Sequence, residues 1–190
     1  SDNPLIVHIA DMEALPLIVK RIPEAARRLA DKYWPGPLTM IFEKADCVPK
    51  ETTGGLNTVA VRMPADRIAR ALITAAGGYV AAPSSNRSGR PSPTTASHVI
   101  EDMDGRVEMI IDGGDTQIGL ESTIIDLTGG KPEILRPGCV TEGMVKDVIG
   151  NVEAQGAVPE DGTAPKAPGM KYRHYAPRGE LTIVEGAAGR

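Results

Sequence analysis

The chain has 190 residues, 41% of them hydrophobic, which is enough to build a buried core and one globular domain. Its net charge of −4 argues against a generally basic nucleic-acid binder. No apolar run reaches membrane-spanning length and no leader pattern opens the chain, so the expectation is a soluble cytoplasmic protein with no membrane partner.

Residues 5–9 read as a buried strand interrupted only by His8. Residues 11–20 hold a short helix. Pro23 opens a stronger one, in which Ala26, Leu29, Ala30 and Tyr33 share a face and which Trp34-Pro35-Gly36-Pro37 stops. Strands follow over 38–42 and 58–63. In the second of these Thr58, Ala60 and Arg62 point to one side and Val59, Val61 and Met63 to the other, so Thr58 and Arg62 address one surface.

Pro64 opens a helix with an apolar stripe of Ile68, Leu72, Ile73 and Ala76, closed by Gly77-Gly78. A strand over 79–82, a polar loop over 83–95, a helix over 95–103 and a strand over 109–112 come next. Residues 119–127 carry a glycine turn into a strand with Ser122 near its start, and 133–136 form its hairpin partner after Gly129-Gly130. Thr141 caps a last helix bearing Met144, Val145, Val148 and Ile149. Residues 151–178, with no sustained periodicity, read as a linker, and 181–184 as the start of another strand. With neither a Walker loop nor a GxGxxG, the common nucleotide folds are not indicated, and the expected fold is a twisted mixed α/β sheet with flanking helices.

Two stretches stand out chemically. The loop over 83–95 contains Ser84, Ser85, Ser88, Ser92, Thr94, Thr95 and Asn86, with Arg87 and Arg90 and no acid. It joins a strand to a helix N-terminus, the place where α/β proteins hold anions, although such a composition also makes ordinary turns. Residues 163–178 bring Lys166, Lys171, Arg173 and Arg178, again without an acid. Cys47 and Cys139 stand far apart and His8, His98 and His174 are scattered, so neither a zinc spacing nor a disulfide framework is expected.

Several segments taken together resemble one family, the threonylcarbamoyl-AMP synthases of the YrdC-like fold. They are Asn3-Pro4-Leu5-Ile6-Val7-His8, Trp34-Pro35-Gly36-Pro37-Leu38-Thr39, residues 58–64, residues 83–94 with Ser84-Ser85-Asn86 as the Ser-x-Asn element, residues 119–123, and Leu135-Arg136-Pro137-Gly138. Residues 168–177 are similar to the linker of the longer, two-domain form. The resemblance implies a YrdC-like sheet curved around a basic cleft: a synthase domain over 1–150, a linker and lid over 151–179, and from 180 the first strand of a Rossmann-like domain.

It also implies a reaction, in which L-threonine, bicarbonate and ATP, with Mg2+, give threonylcarbamoyl-adenylate and pyrophosphate. The product serves tRNA threonylcarbamoyladenosine modification, with tRNA or transfer-complex proteins as further partners. Carried over by motif, ATP contacts fall on Thr58, Ser84, Asn86, Ser92 and Arg136. Threonine contacts fall on His8, Arg62, Ala82 and Ser122, with Arg62 pairing the carboxylate. Tyr175, beside His174 and Lys171, closes over the nucleotide, against the plainer reading of a basic tether. No covalent nucleophile is called for.

The family's Lys-x-Arg element stands just upstream of the point where this chain opens, at Ser1-Asp2, so the sequence reads as a piece of a longer protein with weak or no synthase activity on its own. Two rival readings remain: a hydrogenase-maturation-type carbamoyltransferase domain, to which the 169–177 segment would be foreign, and a structured-RNA-binding module.

Overall fold

The computed structural model describes residues 3–154. In chain order the elements are β1 (Ile6–Ile9), α1 (Leu15–Ile18), α2 (Glu24–Tyr33), β2 (Leu38–Glu43), β3 (Thr58–Arg62), α3 (Arg67–Ala75), β4 (Tyr79–Ala82), α4 (Ala96–Met103), β5 (Thr123–Asp126), β6 (Glu133–Arg136), α5 (Glu142–Ile149) and β7 (Glu153–Ala154). The strands form one seven-stranded sheet in the order β4-β1-β3-β2-β5-β6-β7. The β1–β3, β2–β5 and β6–β7 pairs are parallel, and β1–β4, β2–β3 and β5–β6 antiparallel. This is the mixed sheet with flanking helices that the sequence implied.

The alternation of side chains gives the sheet two unlike faces. Val7, Ile9, Met40, Phe42, Val59, Val61 and Ile125 point into the main core, where α1 adds Leu15 and Ile18, α2 adds Ala26, Leu29 and Ala30, and α5 adds Val145. On the opposite face the described residues form a small apolar cluster of Ile41, Ala60, Ile124 and Leu135, with Ile6 against it. The positions that alternate with the main-core residues, among them Thr39 and Arg62, therefore lie on this thinner side. β2 is buried from Leu38 to Phe42 because it runs through the middle of the sheet, which explains why LTMIF reads as a nearly continuous apolar run.

Local signals explain most element ends. Thr95 and Thr141 cap α4 and α5 by accepting the amides of His98 and Met144. Gly77 and Gly78, with φ of 102° and 99°, make the reversal from α3 to β4 that a side chain would strain.

Three expectations are corrected. The third helix starts at Arg67, not Pro64, because Asp66 supplies the cap, its Oδ1 accepting the Ala69 amide at 2.7 Å. Of its stripe only Ile73 is buried, and Leu72 is 53% exposed: α3 lies against β1 and β4 at the sheet end, with no described layer outside it. Residues 109–112 form no strand, since the run is apolar and β-branched but no ladder partner exists among the described residues, leaving Met109 76% exposed. Within the stretch read as linker, Glu153–Ala154 pairs with β6 as β7. Among the described residues no helix is long and apolar enough to cross a membrane.

Candidate active site

Strand register assembles the site. His8 pairs with Arg62, Arg62 with Thr39, Thr39 with Ile124 and Ile124 with Arg136, so one transverse row runs from β1 to β6. The register shift between Ile124 and Ile125 changes the local twist and lets Arg136 reach back to the start of β5. There Arg136 Nε donates to the Ser122 carbonyl at 3.0 Å, Nη2 to Ser122 Oγ at 3.0 Å, and Nη1 to Glu121 Oε2 at 2.5 Å. Ser122 Oγ also bonds Thr39 Oγ1 at 2.7 Å. Both hydroxyls are buried, and their mutual bond meets the requirement that buried polar groups find partners.

The polar loop joins this cluster through Ser92, whose Oγ donates to Glu121 Oε1 at 2.8 Å. The rest of its charge is directed elsewhere. Arg90 pairs with Glu101 and with Asp102, and Asp102 also accepts the Arg87 amide at 3.1 Å. The loop has no acid of its own, but α4 supplies two, and Arg90 is committed to them. Asn86 is oriented by two bonds from Nδ2, to the Arg87 carbonyl at 3.1 Å and the Arg90 carbonyl at 2.9 Å. That leaves its buried Oδ1 without a hydrogen-bond partner. An acceptor so placed suits a ligand hydroxyl or amine and not a phosphate oxygen.

Arg62 differs from Arg136 in its surroundings. Its Nε donates to the Gly36 carbonyl at 3.1 Å, and the Gly36 amide donates to the Met63 carbonyl at 2.8 Å, but among the described residues no carboxylate pairs with it. Burial, and then the nearby Arg136 charge, push its pKa below the usual arginine value. Two guanidinium groups thus sense each other on one face, a costly arrangement that an anion relieves.

His8 is neutral. Burial first, and then the Arg62 charge, lower its pKa from 6.5 to about 4. The unfolded chain therefore takes up a proton between pH 6.5 and about 4 that the folded chain refuses, and stability falls as pH drops through that window. The effect is expected to reach no more than about 3 kcal/mol. Denaturant melts at pH 7 and pH 4.5 should show a smaller pH difference for His8→Gln than for the parent chain.

The other expected site residues divide. Thr58 shares the face of Arg62 but stands at the far end of β3, about 13 Å away at strand rise. Ala82 ends β4 opposite Ile6, next to the start of the loop. Ser84 is exposed and takes no part in the hydrogen-bond network among the described residues. Tyr175, His174 and Lys171 lie outside the described residues. Thr39 and Glu121 had been given no role: Thr39 is a hydroxyl within an apolar strand, and Glu121 immediately precedes Ser122. A groove of about 270 Å³ between α4 and residues 107–116 has mixed walls, with Val99, Met103 and Ile110 beside Ser85, Thr95, Thr116 and an acid, Asp112.

The Sua5–YciO–YrdC family model, described as telomere recombination, matches residues 1–138. The chain belongs to the Sua5–YciO–YrdC family. A second model, the threonylcarbamoyl-AMP synthase C-terminal domain, matches residues 140–190. Among Sua5–YciO–YrdC relatives, the chain is 54% identical to the threonylcarbamoyl-AMP synthase of Pyrococcus abyssi over 98% of its own length and 55% of that protein. It is 47% identical to that of Bacillus subtilis over 100% of its length and 55% of that protein. The crystal structure of P. abyssi Sua5 complexed with L-threonine superposes with a TM-score of 0.88 at 55% identity, covering 93% of this chain and 52% of that one. The chain thus spans about half the length of the relatives it matches.

Proposed function

We propose that this chain carries the substrate-binding face of an L-threonylcarbamoyladenylate synthase, making threonylcarbamoyl-AMP and pyrophosphate from L-threonine, bicarbonate and ATP for tRNA threonylcarbamoyladenosine modification. The observation that carries the reading is the pair of arginines on one sheet face, Arg62 and Arg136, with Thr39 in the register between them and the Ser122 hydroxyl bonded to both Thr39 and Arg136. Two cations with hydroxyls between them suit a molecule with two anionic groups. The relatives' printed activity, and the L-threonine in the P. abyssi complex, supply the identities.

In this reading Arg62 takes the threonine carboxylate by a bidentate pair. Its neighbour His8 stays neutral and adds no competing charge, Ser122 supplies a hydroxyl to the amino acid, and Ala82 borders it. Arg136 and Ser92 face the phosphates, Asn86 Oδ1 takes a donor of the nucleoside, and Thr58 and Ser84 contact ATP further out. The threonine amine condenses with bicarbonate, losing water. The resulting carbamate oxygen attacks the α-phosphorus, and the bond to the β-phosphate oxygen breaks to release pyrophosphate.

Positioning and charge stabilisation suffice, and no residue is acylated or adenylylated. Among the described residues no acid, histidine and cysteine cluster fits a metal ion, and Glu121 and Asp102 are both engaged by arginine, so magnesium enters as part of the MgATP substrate. The division into a synthase domain over 1–150 and a following linker, and tRNA or transfer proteins as partners, belong to the same proposal.

Pyrophosphate release measured with ATP, L-threonine and bicarbonate tests it, on this chain and on a form extended upstream. Release is expected to need all three, to be stronger in the extended form, and not to respond to carbamoyl phosphate. Turnover indifferent to threonine would overturn the reading.

A further inference from the structure

We propose that Glu121 is a positioning residue for the nucleotide half of the site, one carboxylate that holds Ser92 of the loop and Arg136 of β6 at a fixed spacing. The inference rests on the functional reading above for what Ser92 and Arg136 meet, and on geometry for the rest. Oε1 accepts the Ser92 hydroxyl at 2.8 Å and Oε2 accepts Arg136 Nη1 at 2.5 Å. The pair is largely sheltered from water, with the two side chains 23% and 16% exposed, so its attraction is less screened than that of a surface pair.

The carboxylate hangs from backbone with little freedom. A Cβ on Gly138 would lie 2.5 Å from the Glu121 carbonyl oxygen, and the Thr123 amide donates to the Pro37 carbonyl at 3.0 Å. Arg136 is then held at three nitrogens, two by Ser122 and one by Glu121.

The loop depends on this carboxylate more than the strands do. Its arginines are tied to Asp102 and Glu101 on α4, the Thr94 carbonyl accepts the Thr116 amide, and Ser92–Glu121 is the one side-chain hydrogen bond among the described residues that brings residues 83–95 to the β5–β6 side. Removing the carboxylate frees the loop from Arg136 while leaving both strands in their ladders. Glu121 touches neither half of the substrate in this assignment and acts through the residues it holds.

The test compares Glu121→Ala and Glu121→Gln with the parent protein in its full-length form. Glu121→Ala should raise the ATP KM about tenfold or more, the scale of a lost charge-assisted bond, with kcat and the threonine KM little changed. Glu121→Gln, which keeps an acceptor for Ser92, should recover part of that loss. Hydrogen exchange in peptides covering 84–95 should quicken in Glu121→Ala but not in those covering the β5 and β6 ladders. Equal losses for ATP and threonine, or an unchanged ATP KM, would overturn the proposal. Should the parent protein prove not to use ATP, the functional reading fails separately, and unchanged exchange at 84–95 in Glu121→Ala still overturns the bridging role.

Discussion

Arg62→Met is expected to weaken L-threonine binding by about 100-fold and to leave the melting temperature unchanged or raised. The first part follows from the bidentate guanidinium–carboxylate pair proposed for this residue, since losing two charge-assisted bonds in a sheltered site costs about 3 kcal/mol. The second follows from what Arg62 has in the chain itself. Its described hydrogen bond is one from Nε to the Gly36 carbonyl, it is partly desolvated, and Arg136 and its own burial both work against its charge. A methionine of similar length removes that repulsion and keeps the packing of the stem. Calorimetric titration with L-threonine beside a thermal melt separates the two effects. A variant that lost stability in step with affinity would mean that Arg62 is part of the scaffold.

Gly138→Ala should produce the opposite pattern, a loss of stability that carries the site with it. A Cβ at this position would stand 2.5 Å from the Glu121 carbonyl oxygen, 2.7 Å from the Thr123 amide nitrogen and 2.8 Å from Thr123 Oγ1. Two of these atoms are backbone, and Thr123 Oγ1 is committed to the Val140 carbonyl at 2.7 Å, so no flexible side-chain end can yield. Relief requires moving the start of β5, at an expected cost of about 2–3 kcal/mol for overpacking. For a domain of this size that lowers the melting temperature by about 5–10 °C. Because Glu121 and Ser122 move with the strand start, affinity for both ATP and L-threonine should fall too. A melt within about 1 °C of the parent would show that the close approach is not maintained in solution.

Much of this was legible in the sequence for identifiable reasons. The two-residue period in β3 put Arg62 and Thr58 on one face, and the cap residue Thr141 marked α5 correctly, because these signals are local. Glycine followed by Ser122 at a strand start was likewise readable.

What was not legible depends on partners distant in the chain. Arg90 meets its acid only when α4 places Asp102 beside it, Thr39 acquires a role only when β2 pairs with β5, more than eighty residues away, and Glu121 only when Ser92 and Arg136 close on its two oxygens. Residues 109–112 have the composition of a strand, yet composition cannot provide the neighbour a ladder needs. The α3 stripe shows the same limit, since an amphipathic pattern states which side should be covered and not whether anything covers it.

The transverse row has a consequence for what the site can accept. Arg62 and Arg136 are three ladder steps apart across β2 and β5, so their backbones stand about 14 Å from each other, a span built from whole strand spacings. Such a gauge cannot be lengthened or shortened by exchanging side chains in a loop. It changes only by a full strand, and relatives that keep this sheet should therefore keep the separation between their two anion positions even where the chemistry of the smaller substrate diverges.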